Sequence, residues 1–412
     1  MNRSVDIIIL SLARWDSPYS SMSFSLAKEF SKNNRVFFID HPFSIKDFMN
    51  PYSNSHSVKM RSKALLFGKK KYQKLKDTSG SFTIVTPRLT LPVNWLRAGF
   101  LYDNLSAINE RIVSSALKEL IKDFNIQQYI FINSYDPFFL RNIPKDNKLK
   151  VSIYQTVDNI SQEPYTARHG TRLEKEAVKQ ADITLATSKE LVRLMSEYSD
   201  NVYLFPNAAD FSLFNIAVNE VLKKPRELEG ITQKVICYAG NIGTRINYEL
   251  LKKIAVFHND KVLLMVGPVT TRDYKKTGLD KLPNVIFTGA KDISELPAYL
   301  QYSHCAIIPF EYSLLTKSIY PLKINEYLTA GKPVVSTAFS EDIKDFSEVA
   351  FIANTEEEFL RMIDDAINED PLETREKKIN IAKCNTWEAR VNRFWEIIEN
   401  YEHKKVKEKK EL

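Results

Sequence analysis

The chain has 412 residues, of which 44% are hydrophobic and 11% aromatic, and its formal net charge is +7. This composition excludes an intrinsically disordered protein, and the length favours two domains over a single core. No apolar run approaches the roughly 20 residues that a membrane-spanning helix needs, so we expect a soluble or peripheral protein.

Cysteine and histidine usage bears on the compartment and on metal binding. The three cysteines, at positions 237, 305 and 384, lie far apart, and the first two fall in apolar, strand-like runs. They predict reduced core residues of a cytosolic protein rather than disulfides or a zinc site. The six histidines show no paired spacing either, so we predict no metal.

Strand-like and helical segments alternate along the first half of the chain. The opening run VDIIILSLARWD carries Asp6 and lacks a small-residue cleavage site, so it predicts a buried first strand rather than a signal sequence. We predict strands at residues 6–10, 35–39, 82–85, 128–132, 151–154, 183–186 and 202–204. Helices are predicted at residues 22–32, 105–123, 171–179 and 189–198.

A second series of alternating elements begins at residue 234. Its predicted strands are VICYAG, VLLMVG, VIFTG, CAIIPF and PVVST, and its helices include residues 248–257, 293–301, 355–368 and 386–401. Pro206-Asn207 and the polar residues 218–233 predict an interdomain connection. Such alternation indicates parallel sheets covered by helices, with ligands in a cleft at the carboxyl ends of the strands.

A basic stretch interrupts the first half of the chain. Residues 59–76 (KMRSKALLFGKKKYQKLK) hold eight Lys or Arg and no acid, from Lys59 to Lys76, and a second basic cluster closes the chain at residues 403–410. Three interpretations are open: a solvated loop and a frayed tail, a surface for anionic lipid headgroups, or a nucleic-acid site. We recognise no nucleic-acid module, so we predict no such partner and keep the membrane surface as a candidate.

Loops at predicted strand ends in the second domain could contact a phosphate or a base. Glycines let a ligand approach the backbone closely, and an arginine offers a fork of donors to phosphate. A lone G-x-x-G is a weak signal, and the first loop lacks the Gly-Lys-Ser/Thr of a Walker motif. The candidate contacts in these loops are Gly240, Asn241, Gly243, Arg245, Gly267, Gly289, Ala290 and Lys291.

Residues 318–336 (SIYPLKINEYLTAGKPVVS) are the most informative segment. They predict a turn, a short helix with Lys323 and Glu326, a stop at Gly331 and a strand. A helix N-terminus binds anions and a nearby carboxylate binds hydroxyls, so a nucleoside diphosphate would suit both. The alternative is an ordinary crossover helix whose Lys and Glu face water.

Motifs in a fixed order carry a family resemblance. Y-A-G, V-G-P, N-V-x-F-T-G, E-L-P-x-Y-L, I-P-F and P-L-K-x-x-E-Y-L-x-A-G-K-P-V-V follow one another, and F-P-N-A-A-D precedes them at residues 205–210. Over about residues 150–400 the set resembles the donor half of GT-B glycosyltransferases. It is most similar to the bacterial family 4 type of polysaccharide assembly, including teichuronic-acid-type enzymes.

This resemblance implies an α/β fold of GT-B architecture, with two Rossmann-like domains facing across a cleft. Residues 1–210 would be the acceptor domain and residues 211–385 the nucleotide-sugar donor domain. Residues 386–402 would form a helix that crosses back to the first domain, and residues 403–412 a basic tail. Transfer would be metal-independent and would need no cofactor, because the nucleotide sugar is a substrate.

The resemblance also implies roles for individual residues of the donor domain. Glu326 would bind the ribose hydroxyls. The backbone at Pro321 and Leu322, with Lys323 and Arg245, would hold the diphosphate and stabilise it as it leaves.

Further donor contacts follow from the same resemblance, together with one departure. Ala290 and Lys291 would meet the base, and Tyr320 lies in the loop before the donor helix. Family members often carry a glutamate eight residues before the ribose glutamate, where it contacts the donor sugar. That position is Ser318 here, so the sugar and the retention of configuration stay open.

Two aspartates are candidates for a general base that deprotonates an acceptor hydroxyl. Asp158 occupies the loop where family 4 enzymes often place a histidine, and Asp16 lies in the loop after the first strand, which lacks the family's glycines. A loop-capping role is the alternative for both. The run NSYD at residues 133–136 could bind acceptor hydroxyls or be a plain turn.

The sequence therefore predicts a cytoplasmic glycosyltransferase, peripheral on the inner membrane face. It would move a sugar from a nucleoside diphosphate sugar, UDP being favoured, to a lipid-linked or polysaccharide acceptor in cell-envelope glycan biosynthesis. Two alternatives remain: a nucleotide-sugar epimerase, which would need a carboxylate-rich cleft with histidine, and a non-catalytic GT-B-shaped scaffold that binds nucleotide.

Overall fold

The chain divides between Phe205 and Pro206, and again between Arg390 and Val391, into two α/β units. The computed structural model describes residues 5–17, 21–50, 55–75, 80–143, 147–163, 165–368 and 371–411. The first unit holds residues up to 205 and those from 391, and the second holds residues 206–390. The divisions therefore lie near the predicted limits of 210 and 385 without coinciding with them.

The first unit is built on an eight-stranded sheet. Its strands are β1 (Asp6–Ser11), β2 (Val36–Asp40), β3 (Tyr72–Lys74), β4 (Phe82–Val85), β5 (Tyr129–Ser134), β6 (Leu149–Thr156), β7 (Ile183–Ala186) and β8 (Val202–Leu204). They lie in the order β3-β4-β2-β1-β5-β6-β7-β8, and only β3 and β4 pair antiparallel. All six residues of β1 are buried, which explains why its sequence is a continuous apolar run.

Helices connect the strands of the first unit. They are α1 (Met22–Ser31), α2 (Ile45–Met49), α3 (Ser55–Phe67), α4 (Phe100–Asp123), α5 (Ala167–Gln180) and α6 (Lys189–Met195). Local chemistry sets several of their starts: the hydroxyls of Ser21, Ser44 and Ser188 accept hydrogen bonds from the backbone amides of Phe24, Asp47 and Leu191. The core beneath them contains Ile8, Phe37 and Phe131, which share one register across β1, β2 and β5.

The second unit is built on a six-stranded, fully parallel sheet. Its strands are β9 (Val235–Ala239), β10 (Val262–Val266), β11 (Val285–Gly289), β12 (Cys305–Ile308), β13 (Val334–Thr337) and β14 (Phe351–Ala353), in the order β11-β10-β9-β12-β13-β14. Its helices are α7 (Phe211–Asn219), α8 (Tyr248–Phe257), α9 (Asp273–Thr277), α10 (Leu296–Gln301), α11 (Leu314–Lys317), α12 (Leu322–Thr329), α13 (Glu341–Lys344), α14 (Glu356–Asn368), α15 (Pro371–Lys383) and the start of α16 (Trp387–Glu411).

Each sheet has a point at which the strand order reverses. In the first unit β1 lies between β2 and β5, and in the second β9 lies between β10 and β12. Loops that leave neighbouring strands in opposite directions open a crevice at the carboxyl ends of those strands. Functional side chains are therefore expected above β1 and β9.

The last helix, α16, belongs to the first unit from Val391 onward. Phe394 packs its ring against Phe30 of α1, with centroids 4.8 Å apart, and the Tyr401 hydroxyl donates to Asp182 Oδ1 at 3.0 Å. The apolar stripe predicted for this helix is buried at Val391, Phe394, Trp395 and Ile398. The helix runs on to Glu411, so the residues predicted to form a separate basic tail extend it.

The basic stretch at residues 59–76 is not a single loop. Its first part lies in α3, and its later residues form the short edge strand β3. Arg61 is buried, and Lys71 pairs with Glu119 and Asp123, while Lys76 lies outside the described residues. The remaining basic residues, Lys59, Lys63, Lys69, Lys70 and Lys74, are exposed.

Other parts of the chain also differ from the sequence prediction. The polar residues 218–233, predicted as the interdomain connection, lie inside the second unit. Strand β14 and helix α15 were not predicted, because β14 is only three residues long and α15 lacks a clear apolar stripe.

Candidate functional site

A row of glycines lines the carboxyl edge of the second sheet. Gly240 and Gly267 follow β9 and β10, and Gly289 ends β11. The Gly240 amide donates to Val266 O at 2.8 Å, and the Gly267 amide donates to Gly289 O at 3.1 Å. Their φ values are +150°, +137° and +73°, a backbone region that side chains with a Cβ rarely adopt. The three loops therefore stay close to the sheet and leave its edge open.

The missing side chain of Gly240 makes room for Lys323. A Cβ at position 240 would overlap the Cε and Nζ atoms of Lys323. The Lys323 Nζ lies 5.6 Å from the centre of the Tyr238 ring, a distance at which an ammonium is attracted to an aromatic face. The lysine is thus held over the end of β9.

Helix α12 begins beside this lysine. Pro321 is the N-cap residue and supplies no side-chain hydrogen bond to the first turn. The first amides of a helix have no carbonyl partner within the helix and carry its positive dipole end. An anion at this end would receive backbone donors together with the Lys323 ammonium.

Glu326 and Lys323 place opposite charges one turn apart on α12. The Glu326 side chain is buried, with a relative exposure of 8%. Burial raises the pKa of Glu326, and the positive charge of Lys323 offsets part of that rise. Burial lowers the pKa of Lys323, which Glu326 opposes and Arg245 reinforces. Two charged groups held out of water in this way are common at functional sites.

Tyr327 fixes α12 to the end of β9, and sequence reasoning missed it. Its hydroxyl donates to Ala239 O at 3.1 Å and accepts from the Ala239 amide at 2.9 Å. The ring is fully buried. Because Ala239 directly precedes Gly240, this contact fixes how far Glu326 and Lys323 lie from the end of β9.

Two tyrosine hydroxyls hold the loop after β9 through hydrogen bonds to its backbone carbonyls. The Tyr238 hydroxyl donates to Asn241 O at 2.8 Å, and the Tyr248 hydroxyl donates to Gly243 O at 2.9 Å. A Cβ at Gly243 would lie 2.9 Å from Asn241 Nδ2, so this glycine lets the loop fold back on itself. The loop thereby ends with Arg245, near enough for its charge to lower the pKa of Lys323.

The predicted base contact, Lys291, is already paired. Its Nζ lies 2.6 Å from Glu227 Oε1, and the Tyr299 hydroxyl donates to Glu227 Oε2 at 2.8 Å. The bond to Glu227 raises the pKa of Lys291. Glu227 lies in a short 3-10 helix of the polar stretch, where nothing in the sequence marked it. Ala290, next to Lys291, is exposed at the end of the glycine row.

Ser318 and Tyr320 point into the protein rather than along the sheet edge. Ser318 is buried, and its hydroxyl donates to Leu314 O at 3.2 Å. The Tyr320 hydroxyl lies 3.2 Å from Asn325 Nδ2, and the Tyr320 carbonyl accepts from Asn207 Nδ2 at 3.4 Å. Both side chains hold the loop that precedes α12. Neither carries the carboxylate that the resemblance implied for position 318.

In the first unit, the candidate base Asp16 is engaged by α3. Its Oδ2 accepts hydrogen bonds from Ser57 and from Arg61, the latter at 2.8 Å. Burial raises the pKa of Asp16, but the bonds from Arg61 and Ser57 outweigh it and leave the pKa below its usual value. A carboxylate held ionised by an arginine favours the capping alternative over the role of base. The other candidate, Asp158, is half-buried in the loop after β6.

A histidine and an aspartate meet above β1, and sequence reasoning did not connect them. His41 follows β2 and Asp136 follows β5, and His41 Nδ1 lies 2.7 Å from Asp136 Oδ2. Asp136 is fully buried, and its Oδ1 accepts from the Phe138 amide at 3.0 Å. His41 Nε2 lies 3.2 Å from the Tyr165 hydroxyl. The two residues form a buried dyad at the point where the strand order reverses.

His41, but not Asp136, borders a cavity of about 210 Å³. Aromatic side chains make up much of its wall, and α2 and the loop before α4 contribute polar groups to it. The aromatic members are Trp95, Tyr102, Phe138, Phe139 and Tyr165; the polar ones include Ser44, Lys46, Asp47 and Asn94.

Across the part of the chain that the structure describes, no group of three or more His, Cys, Asp or Glu side chains is arranged to hold a metal ion. Within the same residues, no helix combines the length and apolar character needed to cross a bilayer. Cys237, Cys305 and Cys384 are all free thiols.

Comparison with known proteins gives this site a family. The segment 233–369 matches the family described as Glycosyl transferases group 1, and it contains the glycine row, Lys323, Glu326 and Tyr327. The matched segment coincides with most of the second unit, so the resemblance predicted from the sequence is confirmed there.

A bacterial relative matches a larger part of the chain. The chain is 28% identical over 225 residues to TuaH of Bacillus subtilis (strain 168), a candidate teichuronic acid biosynthesis glycosyltransferase. The match covers 52% of this chain, and it spans about half of the relative, 56% of its length.

Solved structures match nearly the whole chain. Sucrose-phosphate synthase from Thermosynechococcus elongatus has a TM-score of 0.66 and 13% identity over 96% of this chain and 98% of that one. A UDP-forming trehalose-phosphate synthase from Burkholderia vietnamiensis has a TM-score of 0.66 and 10% identity over 96% and 97%. Anabaena HepE, solved with UDP and glucose, has a TM-score of 0.60 and 13% identity over 96% and 100%. These likenesses confirm the predicted GT-B fold.

Proposed function

We propose that this protein is a glycosyltransferase that moves a sugar from a UDP-sugar to a lipid-linked or polysaccharide acceptor. The observation that carries the proposal is the arrangement of Lys323 and Glu326 on α12, one turn apart, above the glycine row. The group 1 match over residues 233–369 supports the reaction class. The UDP named for HepE and for the Burkholderia synthase supports the choice of nucleotide.

In this proposal the donor nucleotide lies along the carboxyl edge of β9 and β10. The Glu326 carboxylate accepts hydrogen bonds from the ribose hydroxyls, because a buried carboxylate is a strong acceptor for a vicinal diol. The diphosphate lies at the N-terminus of α12, beside Lys323 and Arg245. Gly240 and Gly267 let it approach the backbone.

The same groups account for catalysis. When the bond between the anomeric carbon and the diphosphate breaks, the bonding electron pair leaves with the diphosphate. Preplaced positive groups stabilise that growing charge more strongly than they stabilise the bound donor, which lowers the barrier by several kcal/mol. Burial lowers the pKa of Lys323. The negative charge that develops on the diphosphate at this step would favour the protonated form of this lysine.

A substitution at Glu326 tests the donor site. We expect Glu326→Gln to weaken UDP binding about 10- to 100-fold, since a hydrogen bond to a charged group is worth about 1.5–3 kcal/mol. Titration calorimetry with UDP measures the change. Glu249→Gln, an exposed residue of α8, should leave the affinity as it is. Equal UDP affinity for both variants would refute the donor site.

The same UDP titration, together with an assay for sugar release, distinguishes a scaffold from an enzyme. A protein that binds UDP, loses that binding with Glu326→Gln and releases no sugar from any UDP-sugar would be a nucleotide-binding scaffold. A thermal-shift screen against UDP-, GDP-, ADP- and CDP-sugars identifies the donor, because a ligand at 100 times its Kd adds about 2.7 kcal/mol of stability.

We also propose that the protein binds the anionic inner face of a membrane through α3 and the residues after it. Lys59, Lys63 and Lys70 are exposed, and the apolar Leu66 and Phe67 between them are 47% and 66% exposed. Basic residues flanking exposed apolar side chains are typical of helices that lie in the headgroup layer. Such a position would bring the enzyme to a lipid-linked acceptor.

Liposome flotation tests this surface. The triple variant Lys63→Gln, Lys69→Gln, Lys70→Gln should bind vesicles of 30% phosphatidylserine about 100-fold more weakly, because each basic residue near the surface contributes about 1 kcal/mol. Lys71 is left unchanged because it pairs with Glu119 and Asp123.

The matched control removes the same charge elsewhere. Lys252→Gln, Lys275→Gln and Lys281→Gln replace three exposed lysines of the second unit. This variant should float like the wild type. Equal flotation of the two triple variants, whether strong or weak, would refute the membrane surface.

A further inference from the structure

Three large apolar side chains are exposed where the chain enters α4. Trp95 is 68% exposed, Phe100 86% and Leu101 59%. Clusters of exposed apolar side chains mark surfaces that meet a partner. We infer that residues 92–101 insert into the headgroup layer of an anionic membrane, as an apolar anchor distinct from the basic residues of α3. This inference deepens the proposed function, because it rests on the membrane surface proposed for α3 and adds a second contact to it.

The backbone that carries these side chains is fixed by buried groups. The buried side chain of Asn109 accepts from the Leu91 amide at 2.7 Å and donates to Leu91 O at 2.9 Å. His169 Nε2 donates to Leu96 O at 3.0 Å, and Val93 packs in the core of the first unit. The three apolar side chains are therefore held outward by a fixed backbone, and little conformational entropy is lost when they enter a lipid layer.

Positive charge is concentrated in the same part of the chain. Residues 45–101 contain eleven Lys or Arg and two Asp or Glu, whereas the rest of the chain contains 47 Lys or Arg and 49 Asp or Glu. Within the part of the chain that the structure describes, these residues also supply eight of the nineteen large apolar side chains that are exposed. Charge and exposed apolar area thus coincide, and an anionic lipid surface is complementary to both.

The anchor and α3 belong to one packed part of the first unit. The Leu89 amide, in the loop after β4, donates to Leu65 O of α3 at 3.4 Å. Leu89 and Phe48 of α2 both pack against a small core that contains Val58 and Leu65 of α3. A single lipid surface can therefore contact the exposed lysines of α3 and the anchor together.

The charged groups nearest to the anchor are mostly basic. Arg97 lies within it, and Lys46 of α2 lines the same cavity as Trp95; both are exposed. Arg168 of α5 is also exposed and donates to Trp95 O. Asp103, in the first turn of α4, is paired with an arginine of α5 at 2.7 Å. Lipid phosphates that approach the anchor therefore meet guanidinium and ammonium groups.

The backbone limits how deep the anchor goes. Residues 86–99 lie between β4 and α4, and backbone amides and carbonyls outside helices and strands need water or headgroups as partners. This loop therefore does not enter the hydrocarbon core. Tryptophan favours the boundary between headgroups and hydrocarbon, so we expect Trp95 to reach that boundary and no further.

Replacing the two apolar residues at the start of α4 tests the anchor. We expect Phe100→Ser, Leu101→Ser to bind vesicles of phosphatidylcholine with 30% phosphatidylserine about 30-fold more weakly in flotation, because the apolar area buried in the lipid is lost. At about 0.5 M NaCl, where charges are screened beyond about 4 Å, the wild type should still bind and this variant should not.

The matched control replaces an exposed apolar pair elsewhere. Val256→Ser, Phe257→Ser changes two exposed residues of α8 in the second unit, and it should float like the wild type. Both double variants should keep the wild-type Tm and UDP affinity, because the replaced side chains are exposed.

Brominated lipids measure the depth of Trp95, since bromine quenches tryptophan fluorescence only on close approach. Trp95→Phe should float like the wild type because phenylalanine is also apolar. The difference in quenching between these two proteins therefore belongs to Trp95. Lipids brominated near the headgroup end of the acyl chain should quench Trp95 more strongly than lipids brominated near the chain end.

The outcomes separate the anchor from the surface of α3. Equal flotation of Phe100→Ser, Leu101→Ser and the wild type, or a wild type that floats without quenching at Trp95, would overturn the anchor and leave the surface of α3 in place. A wild type that floats on none of the vesicles would overturn both, and the UDP titration reports on the donor site separately. A dimer in light scattering that the double variant dissociates would assign these side chains to contact between two copies of the chain, and would also overturn the anchor.

Discussion

Replacing Gly267 with alanine is expected to destabilise the second unit by about 3–5 kcal/mol and to abolish UDP binding. A Cβ at position 267 would overlap the carbonyl oxygen of Gly240, and the φ of +137° is one that alanine rarely adopts. The obstacle is backbone rather than a flexible side chain, so the loops after β9 and β10 must separate. Gly240 and Lys323 would then lose their common position above β9.

A second glycine provides the control. Gly278 has a φ of +73°, and a Cβ there would meet nothing within 4 Å. Gly278→Ala therefore places alanine at a left-handed φ without the overlap, and we expect a loss of about 1 kcal/mol. Calorimetric Tm values and UDP titration measure both variants. Equal losses would mean that the close approach of the two loops is unimportant.

Arg61→Met is expected to destabilise the first unit by about 3–5 kcal/mol at pH 8, because it leaves buried carboxylates without their partner. Arg61 is almost wholly buried and lies 2.8 Å from Asp16 Oδ2 and 3.3 Å from Asp40 Oδ2. Methionine keeps the nonpolar part of the side chain against Trp15 and removes the positive charge. The substitution therefore measures the effect of the charge.

The loss should depend on pH with a definite sign. Burial raises the pKa of Asp40 to about 6 against the pull of Arg61, so the folded state binds this proton more tightly than the unfolded state does. The contribution of Asp40 is fully present below pH 4 and is lost as the pH rises through about 6. Without Arg61 the folded pKa of Asp40 rises further, so the deficit should be smaller at pH 5 than at pH 8, while the part that comes from the ionised Asp16 remains at both.

The double variant Arg61→Met, Asp40→Asn checks the cause. An amide at position 40 does not ionise, so the pH dependence should become shallower than in Arg61→Met alone. Lys59→Met, an exposed basic residue of the same helix, should not change the stability by more than about 0.5 kcal/mol. A deficit in Arg61→Met that is the same at pH 5 and pH 8 would contradict the argument.

The parts of the site that could be predicted are those whose residues lie close together in the sequence. Lys323 and Glu326 lie in one short helix between a proline and a glycine, so their spacing alone predicted that they share a face. The alternation of apolar runs with amphipathic ones predicted two parallel sheets, because each strand is buried on both faces. These properties depend on neighbours along the chain.

The rest of the site depends on pairs of distant residues. His41 and Asp136 are 95 positions apart and meet because β2 and β5 lie on either side of β1, an order that the sequence does not state. Tyr327 meets Ala239 in the same way. The basic stretch at residues 59–76 differs from its prediction for a related reason. Its Arg61 is buried against two carboxylates that are distant in the sequence, one in the loop after β1 and one at the end of β2.

The position of α16 has a consequence for how the protein is made. Phe30, Phe205 and Asp182 of the first unit contact Phe394 and Tyr401, which leave the ribosome after the second unit. The first unit is thus synthesised early and completed late, while the second can finish folding in between. An isolated fragment of residues 1–205 would expose that surface and aggregate, so a separately produced first unit needs residues 391–411 joined to it.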